Sequence, residues 1–475
     1  MNTEICIIEK IERKVDIEKI YELFQDKPYS VILDSSLQEN SLGQYSIIAF
    51  EPFMIFRSKG NDIELIKHGV IERKSGDPLE YLGALLLEYK FEKRYSYLPF
   101  TSGCIGYFSY DLCRFIEELP QNTKADENIP DIILGFYNNA IIIDHTHEDA
   151  YISVTSAGLP YGSDVERLVR QNVLKIKQLL KTSDKNFEDN TDGTSIVKNL
   201  SACSLESNFT KEDYCLMVKR AKEYIRNGDI YQVNLSQRFS TKISKKPYDI
   251  YEKLRKANPA PFSAYLNFDD IKVISSSPER FIKVCDGMIE TRPIKGTRPR
   301  GTNPEEDKRL KEELLNSEKD RAELTMIVDL ERNDLGKVCK IGTVQVDKLM
   351  EIEEYATVIH LVSTIKGELR DDVDIMDCIR AAFPGGSITG APKIRSMEII
   401  DELEPVKRHI YTGSIGYIGF NGNTDLNIAI RTIIVNGNEA CFNVGGGIVW
   451  DSVPENEYQE TLDKGKALMQ VLVDG

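Results

Sequence analysis

Short apolar runs broken by turn clusters fill the first ~180 residues, as in YSIIAFEPFMIFRS and NAIIIDH, and predict strands. They close on SDVERLVRQNVLKIKQLLKT, where Val165, Leu168, Val169, Val173, Ile176 and Leu180 recur at helical spacing behind a Ser163/Glu166 capping box. The polar stretch that follows has no periodicity and predicts a linker or surface loop over 183–204, separating an N-terminal region 1–182 from a region 205–475. A helix from Thr210 to Asn227, stopped by Gly228, then leads into strands around YQVNLSQRFS, FSAYLNF, IKVISSSPERFIKV and MIETRPI. Late in the chain GSIGYIGF, DLNIAIRTIIV and EACFNVGGGIV, separated by NGNT and NGN, predict an antiparallel meander with hairpin turns. Strands and helices come in blocks, which predicts an α+β fold and disfavours a doubly wound parallel sheet.

Charge and cysteine content narrow the setting. The 475 residues carry a formal net charge of −16, which argues against nucleic acid or an anionic membrane as partner. Nine cysteines lie scattered from Cys6 to Cys441 with no C-x-x-C pair, so neither a disulfide framework nor a zinc ribbon is expected. The N-terminus is too rich in charge for a signal peptide, and no run approaches the ~18 apolar residues of a membrane span. A cytoplasmic protein is expected.

Against that acidic background ETRPIKGTRPRG sets Lys295 among Arg292, Arg298 and Arg300. The cluster reads either as a solvated turn or as a loop whose positive charge binds an anion and lowers the proton affinity of Lys295, freeing its lone pair for attack. In SEKDRAELTMIVDLE, Glu323 shares helical spacing with Met326, Ile327 and Leu330 and so lies on the apolar side, paired either with an arginine or with a metal. In PENEYQETLDKGKALMQVL, Glu457, Glu460 and Lys464 share a face, as a surface ion-pair set or, opposite Glu323, as oxygen ligands suited to Mg²⁺. The bend Gly385, Gly386, Ser387, Thr389, Gly390 directly before a helix is either a plain cap or an anion site on free N–H groups. Alternation in DLNIAIRTIIV places Arg431 on one strand face with Asn427, Ala429, Ile433 and Val435, and Gly445, Gly446 and Gly447 on the next strand allow close backbone approach. Cys104 reads as structural, and His360 in its apolar strand as a core histidine or a site residue.

Taken in order, SSSPERF, PIKGTRPRG, EKDRAELTMIVDLERNDLG, VIHLVS, PGGSITGAPK, YTGSIGYIGF, IAIRT and SVPENEYQETLDKGKA resemble the chorismate-utilising enzymes, among them the anthranilate, aminodeoxychorismate, isochorismate and salicylate synthases. The resemblance is dense over ~205–470 and implies two packed antiparallel β-sheets flanked by helices. Lysine in PIKGT and the NPAPFSAYL segment are similar to the aminodeoxychorismate synthases in particular, where anthranilate synthases typically have alanine and Tyr-Met. The activity so implied is conversion of chorismate and ammonia to 4-amino-4-deoxychorismate for p-aminobenzoate and folate synthesis. By the same resemblance Lys295 attacks C2 and Glu279 protonates the departing C4 hydroxyl. Glu323 and Glu460, with Glu457 beside them, hold Mg²⁺, while Arg431, Tyr411, Gly445 to Gly447, His360, Thr389 and Lys464 surround the substrate. A separate glutamine amidotransferase is implied as ammonia source, and Ser35, Tyr45, Pro261, Phe262 and Ser263 match the family's tryptophan pocket. The implied alternatives are an anthranilate synthase and a catalytically silent tryptophan-binding or glutaminase-activating subunit.

Overall fold

In the strands Ser30–Asp34 and Tyr45–Ala49 the consecutive residues Val31 and Ile32, and Ile47, Ile48 and Ala49, are buried, which requires cover on both faces of a sheet. The computed structural model, which describes residues 4–13, 15–37, 42–91, 97–160, 162, 164–186, 205–355 and 358–473, supplies that cover with four layers. Two twelve-stranded antiparallel sheets lie at the centre. Val31, Ile47, Ile105, Ile133, Ile142, Leu266, Val273 and Ile415 fill the space between them. The alternate residues Ile32, Ile48 and Ile141 face the other way, against the helices Ile17–Glu22, Val165–Asn186, Pro247–Ala257 and Pro454–Val473. The second sheet is covered on its outer face by Pro78–Glu88, Glu318–Gly336 and Ile375–Ala382, while Lys393–Leu403 packs against Gln232–Lys242 of the first. The fold is therefore α+β, with two packed antiparallel sheets and flanking helices.

Both regions of the chain contribute to both sheets. Ser30–Asp34 pairs with Phe262–Phe268, bringing Asp34 opposite Ser263, and Gly103–Phe108 pairs with Ser414–Gly419. The helix Val165–Asn186 buries Val169, Val173, Ile176 and Leu180 and continues past its expected end at 182; Ser163 and the rest of the expected linker, 187–204, lie outside the described residues. The helix Lys211–Asn227 is capped by the Thr210 hydroxyl and ended by Gly228 at φ 82°, in the left-handed region.

Two expectations are corrected. DLNIAIRTIIV is not one strand: Thr424–Asn427 belongs to the second sheet and Thr432–Asn436 to the first. Residues 428–431 cross between the sheets, with Ile428 N donating to Glu279 O at 3.0 Å and Ala429 N to Gly413 O at 2.9 Å, and the crossing ends on Arg431 at φ 54°. Both NG turns close hairpins, but in different sheets, so there is no single meander and Arg431 does not share a strand face with Asn427 and Val435. Nor does the glycine bend open the helix directly. The turn Gly386–Ile388 is followed by a short strand, Gly390–Ala391, paired with Gln232 and Val233, and only then by Lys393–Leu403. None of the described helices is long and apolar enough to cross a membrane.

Candidate active site

The strand Ile294–Pro299 carries Lys295 against the turn Gly386–Ile388, where Nζ donates to Ser387 O at 3.0 Å. Across from it the strand Glu439–Ile448 presents its glycines. A Cβ on Gly447 would collide with the Gln232 amide and stand 3.5 Å from Lys295 Nζ; one on Gly445 would stand 2.9 Å from the Tyr411 hydroxyl. At Gly445 a Cβ would also strike Leu235 O, so the backbone itself leaves no room there, whereas at Gly447 the space is filled by a side chain. Lys464 donates from Nζ to Gly445 O at 3.0 Å and pairs with Glu460 at 2.6 Å, and Arg431 donates to Lys464 O at 2.9 Å. The left-handed turn at Arg431, in place of a strand position, delivers its guanidinium to this side.

Glu279 is 4 % exposed and accepts from Ile294 N at 3.2 Å, so it lies beside the residue that precedes Lys295. Burial pushes its carboxyl above the ordinary range, against the Ser387 hydroxyl, the Ile294 N–H and the charges of Lys295 and Lys464. That environment favours an acid with a proton to give. Burial also lowers Lys295, against the charges of Glu323 and Glu279, while Lys464 adds to the lowering. The expected cause was the three arginines, and the structure corrects it. Arg292 pairs with Glu353, Arg298 with Glu313 at 3.0 Å and Asp320 at 3.1 Å, and Arg300 with Asp307 at 2.7 Å. Their charge is spent on bracing the loop. At the glycine bend the Ser387 carbonyl faces Lys295, and the Thr389 hydroxyl turns back to Gly385 O at 2.7 Å. His360 pairs through Nδ1 with the Thr297 hydroxyl at 2.9 Å, and burial with the Arg431 charge takes it down to about 3, so it is neutral at physiological pH.

Above Gly446 three charged groups converge. The point a Cβ would occupy lies 3.3 Å from Glu460 Oε1, 3.5 Å from Glu457 Oε2 and 3.6 Å from Lys464 Nζ. Glu323 stands near enough for the Glu460 charge to raise it, burial being the larger cause, and Lys319 approaches its carboxylate at 3.9 Å. Burial also raises Glu457. Burial works the same way on Glu460, but the charge and hydrogen bond of Lys464 hold it below the ordinary range. Among the described residues no three such groups stand close enough to enclose an ion by themselves. The carboxylates form an open acidic wall on one side of the Lys295 site.

Several residues of this site escaped the sequence reading. Gln232 and Asn234 lie on one face of Gln232–Lys242, and Asn234 Nδ2 donates to Ile388 O at 2.8 Å. Polar alternation on a buried strand was the available signal. Glu331, one turn beyond Ile327 and Val328 on the same helix, is 6 % exposed and accepts from the Thr291 hydroxyl at 2.9 Å. Burial and the nearby Glu279 charge push it up to about 8.

A separate cleft gathers Ser35, Tyr45, Pro261, Phe262 and Ser263 around ≈ 740 Å³ of space free of protein atoms. Asp34 turns its carboxylate away to Arg255 and to the Tyr251 hydroxyl at 3.0 Å. Cys104 is buried and pushed up to about 12 by that burial, which rules out a thiolate nucleophile there.

Residues 34–470 match the family of chorismate binding enzymes, and the chain belongs to that family: it is a chorismate-utilising enzyme. It is 40% identical to anthranilate synthase component 1 of Acetivibrio thermocellus over 95% of this chain and 92% of that protein. It is 39% identical to aminodeoxychorismate synthase component 1 of Bacillus subtilis (strain 168) over 96% of this chain and 94% of that one. Anthranilate synthase component I from Streptococcus pneumoniae TIGR4 has the same fold, with a TM-score of 0.76 and 34% identity over 90% of this chain and 93% of the other. Overall identity thus does not separate the two activities.

Proposed function

We propose that the protein is an aminodeoxychorismate synthase component I, converting chorismate and ammonia to 4-amino-4-deoxychorismate. The observation that carries this reading is Lys295: a buried amine with lowered proton affinity, over the glycine strand and next to the buried acid Glu279. In the first step Lys295 Nζ bonds to C2, the C4–O bond breaks, and the Glu279 proton leaves with that oxygen as water. Ammonia then bonds to C4, the C2–N bond breaks, and Lys295 departs as a neutral amine. The surplus proton on the new C4 nitrogen passes to the Glu279 carboxylate, which restores the acid.

Arg431, Tyr411 and Lys464 grip the enolpyruvyl carboxylate, and neutral His360 packs beside them. Mg²⁺ bound by Glu323, Glu460 and Glu457 would supply positive charge to the ring carboxylate. The fit is supported by Glu323 and Glu457, two carboxyls raised chiefly by burial and further by the Glu460 charge, which a dication would relieve. A separate glutamine amidotransferase supplies the ammonia, consistent with relatives named component 1. Tryptophan fits the character of the second cleft, with apolar Phe262 and Ile47 beside charged Arg280 and Asp425.

The equal identity to an anthranilate synthase component 1 favours one rival, amination at C2 with loss of pyruvate. Product analysis decides between them. With chorismate, Mg²⁺ and ammonium salt, the protein should yield p-aminobenzoate once a lyase is added; fluorescent anthranilate without lyase would overturn the reading.

A further inference from the structure

Tyr411 is carried on a strained turn. His409 and Thr412, on either side of it, have φ 52° and 59°, in the left-handed region that a β-branched residue such as Thr412 adopts only under constraint. The constraint comes from Arg408, which is 2% exposed and uses every N–H of its guanidinium. Nε and Nη2 bond the Glu404 carboxylate at 2.9 and 2.7 Å, Nη2 also reaches Asn234 O at 2.6 Å, and Nη1 reaches Ile388 O and the Thr412 hydroxyl, both at 3.3 Å. Glu404 is held in turn by the Ser236 N–H at 2.8 Å and its hydroxyl at 3.0 Å. With its edges committed, the planar group leaves its faces to aromatic rings: Cζ lies 4.9 Å from the centre of the Tyr110 ring and 5.7 Å from that of Tyr411.

An ion pair buried this deeply loses in hydration much of what its attraction contributes, so stability is a weak reason for its presence. What it fixes is the place of Tyr411. The guanidinium ties the Tyr411 turn to the strand Gln232–Lys242 through Asn234 and to the turn Gly386–Ile388 beside Lys295. The Tyr411 hydroxyl then stands 2.9 Å from the point a Cβ of Gly445 would occupy. Burial pushes it up to about 12, with the Arg408 charge opposing, so the phenol keeps a proton to donate. Tyr110 comes from the N-terminal region, and its hydroxyl has no partner among the described residues; what it brings to Arg408 is the face of its ring.

We propose that Arg408 is a positioning residue for chorismate: lying over Tyr110 and Tyr411, it holds the Tyr411 hydroxyl above the glycine strand to donate to the enolpyruvyl carboxylate. Arg408 itself touches no substrate. The inference rests on the grip assigned to Tyr411 in the reading above, and it holds whichever ring carbon is aminated.

The test is a double-mutant cycle. Arg408→Lys keeps a charge for Glu404 but has no planar group to lay on the rings, Tyr110→Leu removes one ring and breaks no side-chain hydrogen bond, and Tyr411→Phe keeps its ring and removes the hydroxyl. The chorismate KM and kcat are measured for each, and for the first two combined with Tyr411→Phe, with thermal unfolding to establish that each variant is folded. Arg408→Lys and Tyr411→Phe should raise the chorismate KM by about tenfold and Tyr110→Leu by about threefold or more, with kcat within about threefold. Each double variant should match Tyr411→Phe alone within about twofold, because the hydroxyl through which Arg408 acts is already gone. Effects on KM that multiply in the double variants would overturn the proposal, as would an unchanged KM in Tyr110→Leu or in folded Arg408→Lys; where Arg408→Lys does not fold, Tyr110→Leu decides. An unchanged KM in Tyr411→Phe would overturn the grip assigned to Tyr411 and this inference with it, whereas an unchanged KM confined to the other two variants would overturn the role of Arg408 and leave that grip standing.

Discussion

At the scale of single residues the site is governed by burial more than by neighbouring charge. Lys295, Glu279 and Glu331 all shift in the direction that favours their neutral forms, and in each case loss of solvent is the largest cause. Glu331 gives this a measurable consequence. Its folded value is about 8 against an ordinary 4.5, so the folded state binds more protons than the unfolded one between those values. Stability from the neutral acid is complete below pH 4.5 and is lost as pH rises to about 8. Glu331→Gln keeps an acceptor for the Thr291 hydroxyl and removes the titration. It should be more stable than the wild type at pH 9 by roughly 1–4 kcal/mol, with the difference shrinking towards pH 5, as read by urea unfolding at both values. An equal effect at the two pH values would show that Glu331 does not titrate in this range. Lys295 stood out in its motif, but the physical cause of its lowered proton affinity was not legible. A run of arginines looks like a positive field in sequence, whereas here each arginine reaches a carboxylate distant along the chain or on a following helix.

At the scale of elements, what the sequence concealed was where a strand leaves its sheet. The apolar run continues through Ile428, Ala429 and Ile430, the first two buried and the third partly buried on the way across, so the sequence pattern alone could not mark the crossing. Most of the strands, the helix stop at Gly228 and the glycine strand were legible, since each depends on local spacing. The glycine strand carries a direct prediction. Gly447→Ala places a Cβ against the far end of a flexible side chain, Gln232, so the fold should survive with Tm within a few degrees, while turnover falls by about tenfold or more. Unchanged turnover would show that the space above Gly447 is not used. The acidic wall joins two helices, Glu318–Gly336 and Pro454–Val473. Glu323→Gln and Glu460→Gln should each raise the Mg²⁺ concentration needed for half-maximal activity by about tenfold or more without loss of fold, and identical Mg²⁺ titrations would contradict the ligand assignment.

On the scale of the whole molecule the two regions of the chain are one folding unit. Phe262–Phe268 has Ser30–Asp34 as a neighbour in the first sheet, and Ser414–Gly419 has Gly103–Phe108 in the second, both deep within the strand order. A polypeptide of 205–475 alone would expose both strand edges and the apolar residues between the sheets, and is expected to be insoluble. Recovery of a soluble, cooperatively unfolding 205–475 fragment would contradict this. The residues of the candidate site all come from 205–475, and that centre lies where the sheets meet the helices Glu318–Gly336 and Pro454–Val473. The account stands or falls on whether the lysine at that centre forms a bond to the substrate. The direct measurement is the rate of aminodeoxychorismate formation by Lys295→Ala at saturating chorismate, Mg²⁺ and ammonium, with chorismate binding followed in parallel. The rate should fall by about a hundredfold or more while binding weakens far less, because the lost interaction belongs to the reaction path and not to the ground state. Aminodeoxychorismate formed by Lys295→Ala at the wild-type rate would contradict covalent catalysis.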